Sequence, residues 1–155
     1  MPKRIVRVAS ILAFTFAAVP AHGQATAEAE AVAVVRKLFD AMRQVDSTAA
    51  RALFHAKARL ISTTVRDGAP VVQIQETVNG FIQTVGRPRS EVWDERIFNE
   101  KVNVDGPLAS VWTGYVFYRG TTLSHCRVDH FLLLREGGAW KILELSDTRR
   151  TEGCS

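Results

Sequence analysis

The residues best suited to chemistry lie close together in a run that begins at His125. Alternation along an extended strand places His125, Arg127 and Asp129 on one face, followed by Phe131 and Leu133. Neighbours on one face are about 6 to 7 Å apart, so Arg127 could pair with Asp129 and hold it ionised, whereas His125 lies about 13 Å from Asp129. The strand alone therefore forms no histidine–aspartate pair. The opposite, more apolar face carries Cys126, Val128, His130, Leu132 and Leu134.

Asp129 has three open roles: catalysis, hydrogen bonding to a ligand, or an ion pair with Arg127 or a neighbouring strand. His55 follows a short predicted helix and is either an acid–base group at a pocket mouth or a partly exposed residue at a helix end. The chain contains no Gly-rich phosphate loop, His-Glu-x-x-His or Gly-x-Ser-x-Gly motif. These absences disfavour nucleotide, zinc-protease and α/β-hydrolase chemistry, and no cofactor is predicted.

The sequence holds two cysteines, Cys126 and Cys154. In an oxidising compartment an even number favours a disulfide, which here would close a loop of about 28 residues and contribute about 3 kcal/mol. The alternative is a buried free Cys126 and a loose tail that carries Cys154. With no third sulfur and no adjacent His-x-x-His, a metal site is not predicted.

The elements that must position these residues begin with helices. Apolar residues recur at three- and four-residue steps over residues 27–45, which predicts an amphipathic helix. Asp46 and Ser47 are typical caps for a short second helix that reaches Phe54. A strand over residues 58–65 should end at the turn 67–70. A third helix is predicted over residues 75–85.

From residue 91 onward the pattern changes to β-prone runs separated by turns that contain Gly106, Gly120 and Gly137. Runs of about ten residues joined by short glycine-bearing turns predict an antiparallel meander. Its four strands are expected at residues 91–104, 108–118, 122–135 and 139–147. Helices followed by a curved sheet define an α+β fold with the helices on one face of the sheet and a cavity at its mouth.

The first 23 residues have the features of a cleavable signal peptide. Lys3, Arg4 and Arg7 precede a mostly apolar run over residues 8–19, and small residues stand at 21 and 23. A run of twelve residues is too short to span a membrane, which needs about 20. We therefore predict a periplasmic or secreted protein whose single domain is residues 24–155, with no membrane span after cleavage.

Removal of residues 1–23 also changes the charge of the chain. The formal net charge falls from +4 to +1 because three cations and no acids leave. A nearly neutral domain with interleaved charges lacks the basic face that nucleic acids require. No nucleic-acid partner is predicted.

Residues 112–150 resemble the closing sheet of the NTF2-like superfamily, and in particular its SnoaL-like and lumazine-binding-like branches, as an exported bacterial member. The resemblance rests on a tyrosine-bearing strand, on Val128-Asp129-His130-Phe131, on a glycine turn, and on Trp140-Lys141-Ile142 at the start of the last strand. With the N-terminal helices it covers nearly all of residues 24–155. It implies a conical fold, in which a curved antiparallel sheet packs on N-terminal helices.

The resemblance also implies a role for Asp129, because ketosteroid isomerase-like members carry a protonated acid on the corresponding strand. Those isomerases place a tyrosine on the first helix and a carboxylate after the first strand. This chain has Phe39 on the helix and Leu-Ile-Ser-Thr-Thr at residues 60–64. The departures favour a domain that binds a small, largely apolar ligand, with no evident catalysis. The predicted pocket residues are Tyr115, His125, Asp129 and Phe131, with His55 at the mouth.

Two alternatives remain at this point. The first is an isomerase or lyase that uses Asp129 as acid or oxyanion donor and His55 or His125 as base. The second is an interaction module that forms a homodimer through the open face of its sheet.

Overall fold

A computed structural model describes residues 21–75 and 77–154. Three helices and six strands follow one another in the described part of the chain. They are α1 (Ala21–Arg43), α2 (Ser47–Leu53), β1 (Phe54–Arg66), β2 (Ala69–Gln75), α3 (Asn79–Val85), β3 (Trp93–Asp105), β4 (Leu108–Arg119), β5 (Thr122–Glu136) and β6 (Ala139–Arg150). The predicted signal peptide lies outside the described residues except for its last three positions, which begin α1.

The six strands form one curved, unclosed sheet in the order β2-β1-β6-β5-β4-β3. All neighbouring pairs are antiparallel except β1 and β6, which are parallel. The four predicted meander strands are confirmed as β3 to β6. Helix α1 packs against β3, β4 and β6, and α2 packs against α1 and α3. The α+β cone expected from the sequence is therefore the observed fold.

Helix α1 ends earlier than the apolar pattern predicted, and the cause is a local turn. Val45 has a φ of 57°, in the left-handed region, and the Asp46 N–H donates to the Ala41 carbonyl at 2.9 Å. Asp46 then accepts a hydrogen bond from the Ala49 N–H at 2.8 Å, so its predicted role as the cap of α2 is confirmed. Helix α1 also begins earlier, at Ala21 rather than Ala27.

The segment after β1 is where the sequence prediction was wrong. Residues 69–75 form strand β2, and α3 covers only Asn79–Val85 of the helix predicted over residues 75–85. Asp67 and Gly68 have φ values of 52° and 76°, as a two-residue hairpin turn requires, and Arg66 pairs directly with Ala69. The Asp-Gly signal was read as the end of a strand, whereas it joins two paired strands.

The core lies between α1 and the concave face of the sheet. Phe131 on β5 is fully buried and meets the edge of Phe39 on α1 at a ring separation of 6.0 Å. Asp129, Phe131 and Leu133 are each at most 3% exposed, so the buried face of this part of β5 is the less apolar of the two predicted faces. Packing on the helices therefore selects the inward face of β5.

The predicted disulfide between Cys126 and Cys154 is present, with 5.7 Å between the two Cα atoms. It joins β5 to the segment that follows β6. Within that segment the Arg150 guanidinium donates to the Gly153 carbonyl at 2.7 Å. The covalent bond and this hydrogen bond together fix the C-terminal tail against the sheet.

Candidate functional site

A cavity of about 230 Å³ opens between α1, α3 and the concave face of the sheet. Its volume lies just below the usual range of small-molecule pockets, about 300 to 1,000 Å³, which suits a small ligand. The apolar residues that line it are Leu38, Phe39, Met42, Leu60, Ile61, Phe81, Trp93, Phe117 and Leu145. The polar residues that line it are Ser62, Thr84, Glu95, Tyr115, Arg119, His125, Asp129, Asp147 and Arg149.

Two carboxyl groups, those of Glu95 and Asp129, face each other in this cavity. Asp129 points inward from β5 and is 3% exposed, while Glu95 on β3 is partly exposed through the cavity. No N–H or O–H group of the described residues donates a hydrogen bond to Oδ2 of Asp129. Because two carboxylates cannot hydrogen-bond to each other, the pair is joined only when one of them carries a proton.

Burial and mutual repulsion determine where that proton lies. Burial raises the pKa of Asp129 well above its ordinary value, and the charge of Glu95 raises it further. Burial also raises the pKa of Glu95 to about 7, although its hydrogen bond with Asp129 opposes this rise. At neutral pH Asp129 is the protonated partner and donates to Glu95. The pair then offers a ligand both an acid and a base near its working pH.

A second polar group lies beside the carboxyl pair on β6. The carboxylate of Asp147 accepts hydrogen bonds from the Arg149 guanidinium and the Ser62 hydroxyl, and its backbone carbonyl accepts one from Thr63 at 3.0 Å. Asp147 is the direct antiparallel partner of Asp129, so both side chains lie on the same face of the sheet. The Asp147 charge is therefore already paired, whereas the carboxyl of Asp129 has no cation bound to it.

Tyr115 and His125 complete the polar lining near the mouth. The Tyr115 hydroxyl donates to the Thr148 carbonyl at 3.1 Å, and burial together with the Asp129 charge raises its pKa. The His125 ring packs against Phe117 and Tyr115 at ring separations of 4.8 and 5.7 Å. Burial, aided by the Arg149 charge, lowers the pKa of His125 to about 4. His125 is therefore neutral at pH 7 and able to accept a proton or a hydrogen bond.

The structure brings together three of the five predicted pocket residues: Tyr115, His125 and Asp129 all line the cavity. Phe131 does not, because it is fully buried in the core beside Phe39. His55 does not either. It lies at the start of β1, where its Nε2 is 3.8 Å from a Glu136 carboxylate oxygen and its Nδ1 accepts the Lys57 N–H.

The ion pair between Arg127 and Asp129, one of the three roles left open for Asp129, is not formed. Arg127 is exposed and lies outside the cavity lining. The cation on the cavity side is Arg149 of the neighbouring strand, and it is bound to Asp147. Of the three roles left open for Asp129, the structural ion pair is therefore excluded, and the two functional roles remain.

Glu95 is the residue that sequence reasoning missed. The alternation of Trp93, Glu95 and Ile97 places all three on the inward face of β3, since Trp93 and Ile97 pack against the core. The sequence alone therefore indicates an inward-facing acid, because Glu95 lies on one strand face between two large apolar residues. Only the curvature of the sheet shows that this acid reaches the one on β5, because β4 separates the two strands.

Among the described residues, no group of three histidine, cysteine or acidic side chains is arranged to hold a metal ion. Within the same ranges, no helix has both the length and the apolar character needed to cross a membrane.

The polar groups of the cavity are a protonated acid, a carboxylate of raised pKa and a neutral imidazole, and they stand among apolar walls. Such a set can bind a ligand by hydrogen bonds or move a proton.

Comparison with known proteins identifies the wider family of this architecture. The sequence profile of the family described as "Putative lumazine-binding" matches residues 26–145. No protein with a curated description is detectably similar in sequence.

Solved structures with the same fold share little sequence with this chain. An NTF2-like protein of Shewanella baltica is 16% identical, with 83% of this chain and 97% of that chain covered and a TM-score of 0.60. A Mycobacterium tuberculosis protein of unknown function is 13% identical, with 87% and 78% covered and a TM-score of 0.70. An NTF2-like Streptomyces avermitilis protein described as a "putative dehydratase" is 16% identical, with 82% and 98% covered and a TM-score of 0.62. At these identities the likeness extends to the fold alone.

Proposed function

Because the chain belongs to the lumazine-binding-like family of NTF2-like domains, we propose that it is an exported domain that binds a small, largely apolar molecule in its cavity. One observation carries the proposal. The cavity has apolar walls, yet it contains the buried carboxyl of Asp129, which is paired only with the Glu95 carboxyl and whose Oδ2 receives no hydrogen bond from an N–H or O–H group of the described residues. A ligand with a polar atom at one end would satisfy this group and bury its apolar surface.

Two energetic terms favour such a ligand. Apolar surface that leaves water contributes about 25 cal/mol per Å², and the cavity walls are already packed in place. An unpaired buried polar atom costs about 1 to 3 kcal/mol, and a ligand that hydrogen-bonds to it recovers part of this cost. The walls therefore select the shape of the ligand, and the carboxyl pair selects the position of its polar atom.

Native mass spectrometry of the protein purified from its own host tests this proposal. We expect a retained small molecule that is lost when Leu60→Trp fills the cavity. Val72→Trp adds the same bulk to an exposed residue of β2 and serves as the matched control, so it should keep the ligand. Retention of the same molecule by Leu60→Trp, with an unchanged fold by circular dichroism, would place the ligand elsewhere.

A second candidate function is an isomerase or lyase, and the acid pair favours it. Asp129 would donate a proton, and either Glu95 or the neutral His125 would accept one. His55 has no part in this mechanism because it lies outside the cavity lining. Incubation of the recovered ligand with the protein in deuterated water should label a carbon position. The candidate fails if Asp129→Asn labels the ligand as fast as the wild type.

Export is part of the proposal, and the disulfide between Cys126 and Cys154 supports it, since such bonds persist in oxidising compartments. The first residue after the predicted cleavage site, Gln24, already contacts the sheet through a 3.0 Å hydrogen bond from its side chain to the Val104 carbonyl. N-terminal sequencing of the protein from periplasmic or secreted fractions should begin near Gln24. Recovery of protein that begins at Met1 would contradict export with cleavage.

Dimer formation through the convex face of the sheet is a further proposal, and two exposed aromatic residues favour it. Trp112 and Phe98 lie on this face and are 50% and 42% exposed, and the Phe98 ring covers Gly114. Light scattering of the mature protein should report twice the monomer mass, and Trp112→Ser should reduce it. A wild-type protein that is monomeric at high concentration would exclude this interaction.

A further inference from the structure

An open groove adjoins the cavity at its mouth, and the two share His125 and Arg149 as lining residues. The groove is formed by the ends of β1, β5 and β6 and by the segment after β6. Besides Arg149 it presents the guanidinium groups of Arg127 and Arg150. The hydroxyl groups that line it belong to Thr63, Thr64, Ser124, Thr148 and Thr151. It is therefore rich in hydrogen-bond donors, as a site for an oxyanion requires.

The positive charge of this groove is only partly neutralised by the described residues. Arg127 stands directly opposite Arg149 in the pairing of β5 with β6, an arrangement in which like charges are destabilising. Arg149 is bound to Asp147, but the side chain of Arg127 forms no ion pair or hydrogen bond with the described residues. Arg119 at the cavity mouth has none either. Glu152 is the one acidic residue among those that line the groove.

The disulfide holds one wall of the groove in place. The segment from Thr151 to Cys154 follows β6 directly, and the bond from Cys154 to Cys126 ties its end to β5. The hydrogen bond from Arg150 to the Gly153 carbonyl closes the turn. In the pairing of β5 with β6, Arg149 lies opposite Arg127, and Arg150 lies opposite Cys126, the residue before Arg127. Because the guanidinium groups of Arg149 and Arg150 are each held by a hydrogen bond, they lose less side-chain entropy on binding an anion than mobile arginines would.

The cavity and the groove have opposite polarity. The inner end carries the Glu95 and Asp129 carboxyls, and about 13 Å of β5 separates Asp129 from His125 at the mouth. An anionic group would be repelled by the carboxyl pair and attracted by the arginines outside. This combination of repulsion and attraction specifies how a ligand is oriented.

We propose that the groove binds the oxyanion, such as a carboxylate, of a ligand whose apolar body occupies the cavity. The ligand is thus a small amphipathic anion that enters with its uncharged end first, and the polar atom that meets Asp129 lies at that inner end. This inference rests on the proposed binding function and extends it to a chemical class. It assigns a binding role to Arg127 and Arg150.

Calorimetric titration with hexanoate and with 1-hexanol tests the inference, because the two probes share an apolar body and differ in charge. We expect hexanoate to bind about tenfold more tightly than 1-hexanol at low salt, as one charge-assisted hydrogen bond would give. Arg127→Gln and Arg150→Gln should each reduce this preference and leave the affinity for 1-hexanol unchanged. Arg36→Gln removes an equal charge from exposed α1 and should retain it.

The outcomes separate the two proposals. If 1-hexanol and hexanoate bind the wild type equally, cavity binding stands and the anion site is overturned. The same conclusion follows if Arg127→Gln and Arg150→Gln both keep the full preference for hexanoate. If neither probe binds, the proposed cavity function fails, and the inference that depends on it fails with it. A preference that disappears in both groove variants and persists in Arg36→Gln supports the anion site.

Discussion

Replacement of Glu95 by glutamine should change how the stability of the domain depends on pH. Glu95 has a pKa of about 7 in the folded protein against an ordinary value of 4.5. A carboxyl with a raised pKa binds its proton more tightly when folded, so the stability it contributes is fully present below pH 4.5. That stability is lost as the pH rises through 7. The Glu95→Gln variant lacks this dependence because its amide does not titrate.

The magnitude follows from the two pKa values. Proton linkage for a group that shifts from 4.5 to about 7 gives a loss of about 2 to 3 kcal/mol between pH 5 and pH 8. The free energy of unfolding of the wild type, minus that of Glu95→Gln, should therefore fall by about this amount over the range. Titrating groups that do not interact with Glu95, including Asp94 and Glu144 with their lowered pKa values, cancel in the difference.

Urea unfolding of residues 24–155 at pH 5, 6, 7 and 8, followed by tryptophan fluorescence, measures this difference. Glu91→Gln is the matched control, since it removes an exposed acid outside the cavity lining and should give a nearly constant difference. The reasoning is refuted if the free energy of unfolding of the wild type, minus that of Glu95→Gln, stays constant or rises between pH 5 and pH 8. The burial of Glu95 that raises its pKa would then not exist in solution.

Two further predictions concern the framework around the site. Phe131→Ala should lower the free energy of unfolding by about 3 to 5 kcal/mol, because it empties a fully buried position against Phe39. Val72→Ala at an exposed position should change it little, and equal effects in urea unfolding would contradict the assigned core. Loss of the disulfide through Cys154→Ala should lower the free energy of unfolding by about 3 kcal/mol. A reducing agent should destabilise the wild type but not this variant, and equal sensitivity of both proteins would argue that the disulfide is absent in solution.

Much of the framework could be predicted because it depends on local patterns. The apolar period of α1, the cap at Asp46 and the glycine turns of the meander are each contained in a few consecutive residues. The disulfide followed from the count of two cysteines. Strand β2 was missed because its existence depends on pairing with β1, and the sequence of residues 69–75 alone does not indicate that pairing.

The candidate site was predictable only in part, for the same physical reason. Asp129, His125 and Tyr115 could be selected by residue type and by alternation. The pairing of Asp129 with Arg127, which the sequence left open, does not form because periodicity assumes a regular strand, and Arg127 turns outward to the exposed groove. His55 and Phe131 were assigned to the pocket without knowledge of how deep the cavity extends.

The sequence by itself determined which faces and turns this chain can form, since hydrophobic period and turn chemistry act over a few residues. Tertiary structure alone decided that the acid on β3 meets the acid on β5. Those residues are 34 positions apart, counting from Glu95 to Asp129, and a third strand lies between theirs. Only the curvature of the sheet around α1 brings them together. Burial, which exists only once the chain has folded, raises the pKa of both acids, and the nearby Glu95 charge raises that of Asp129 further.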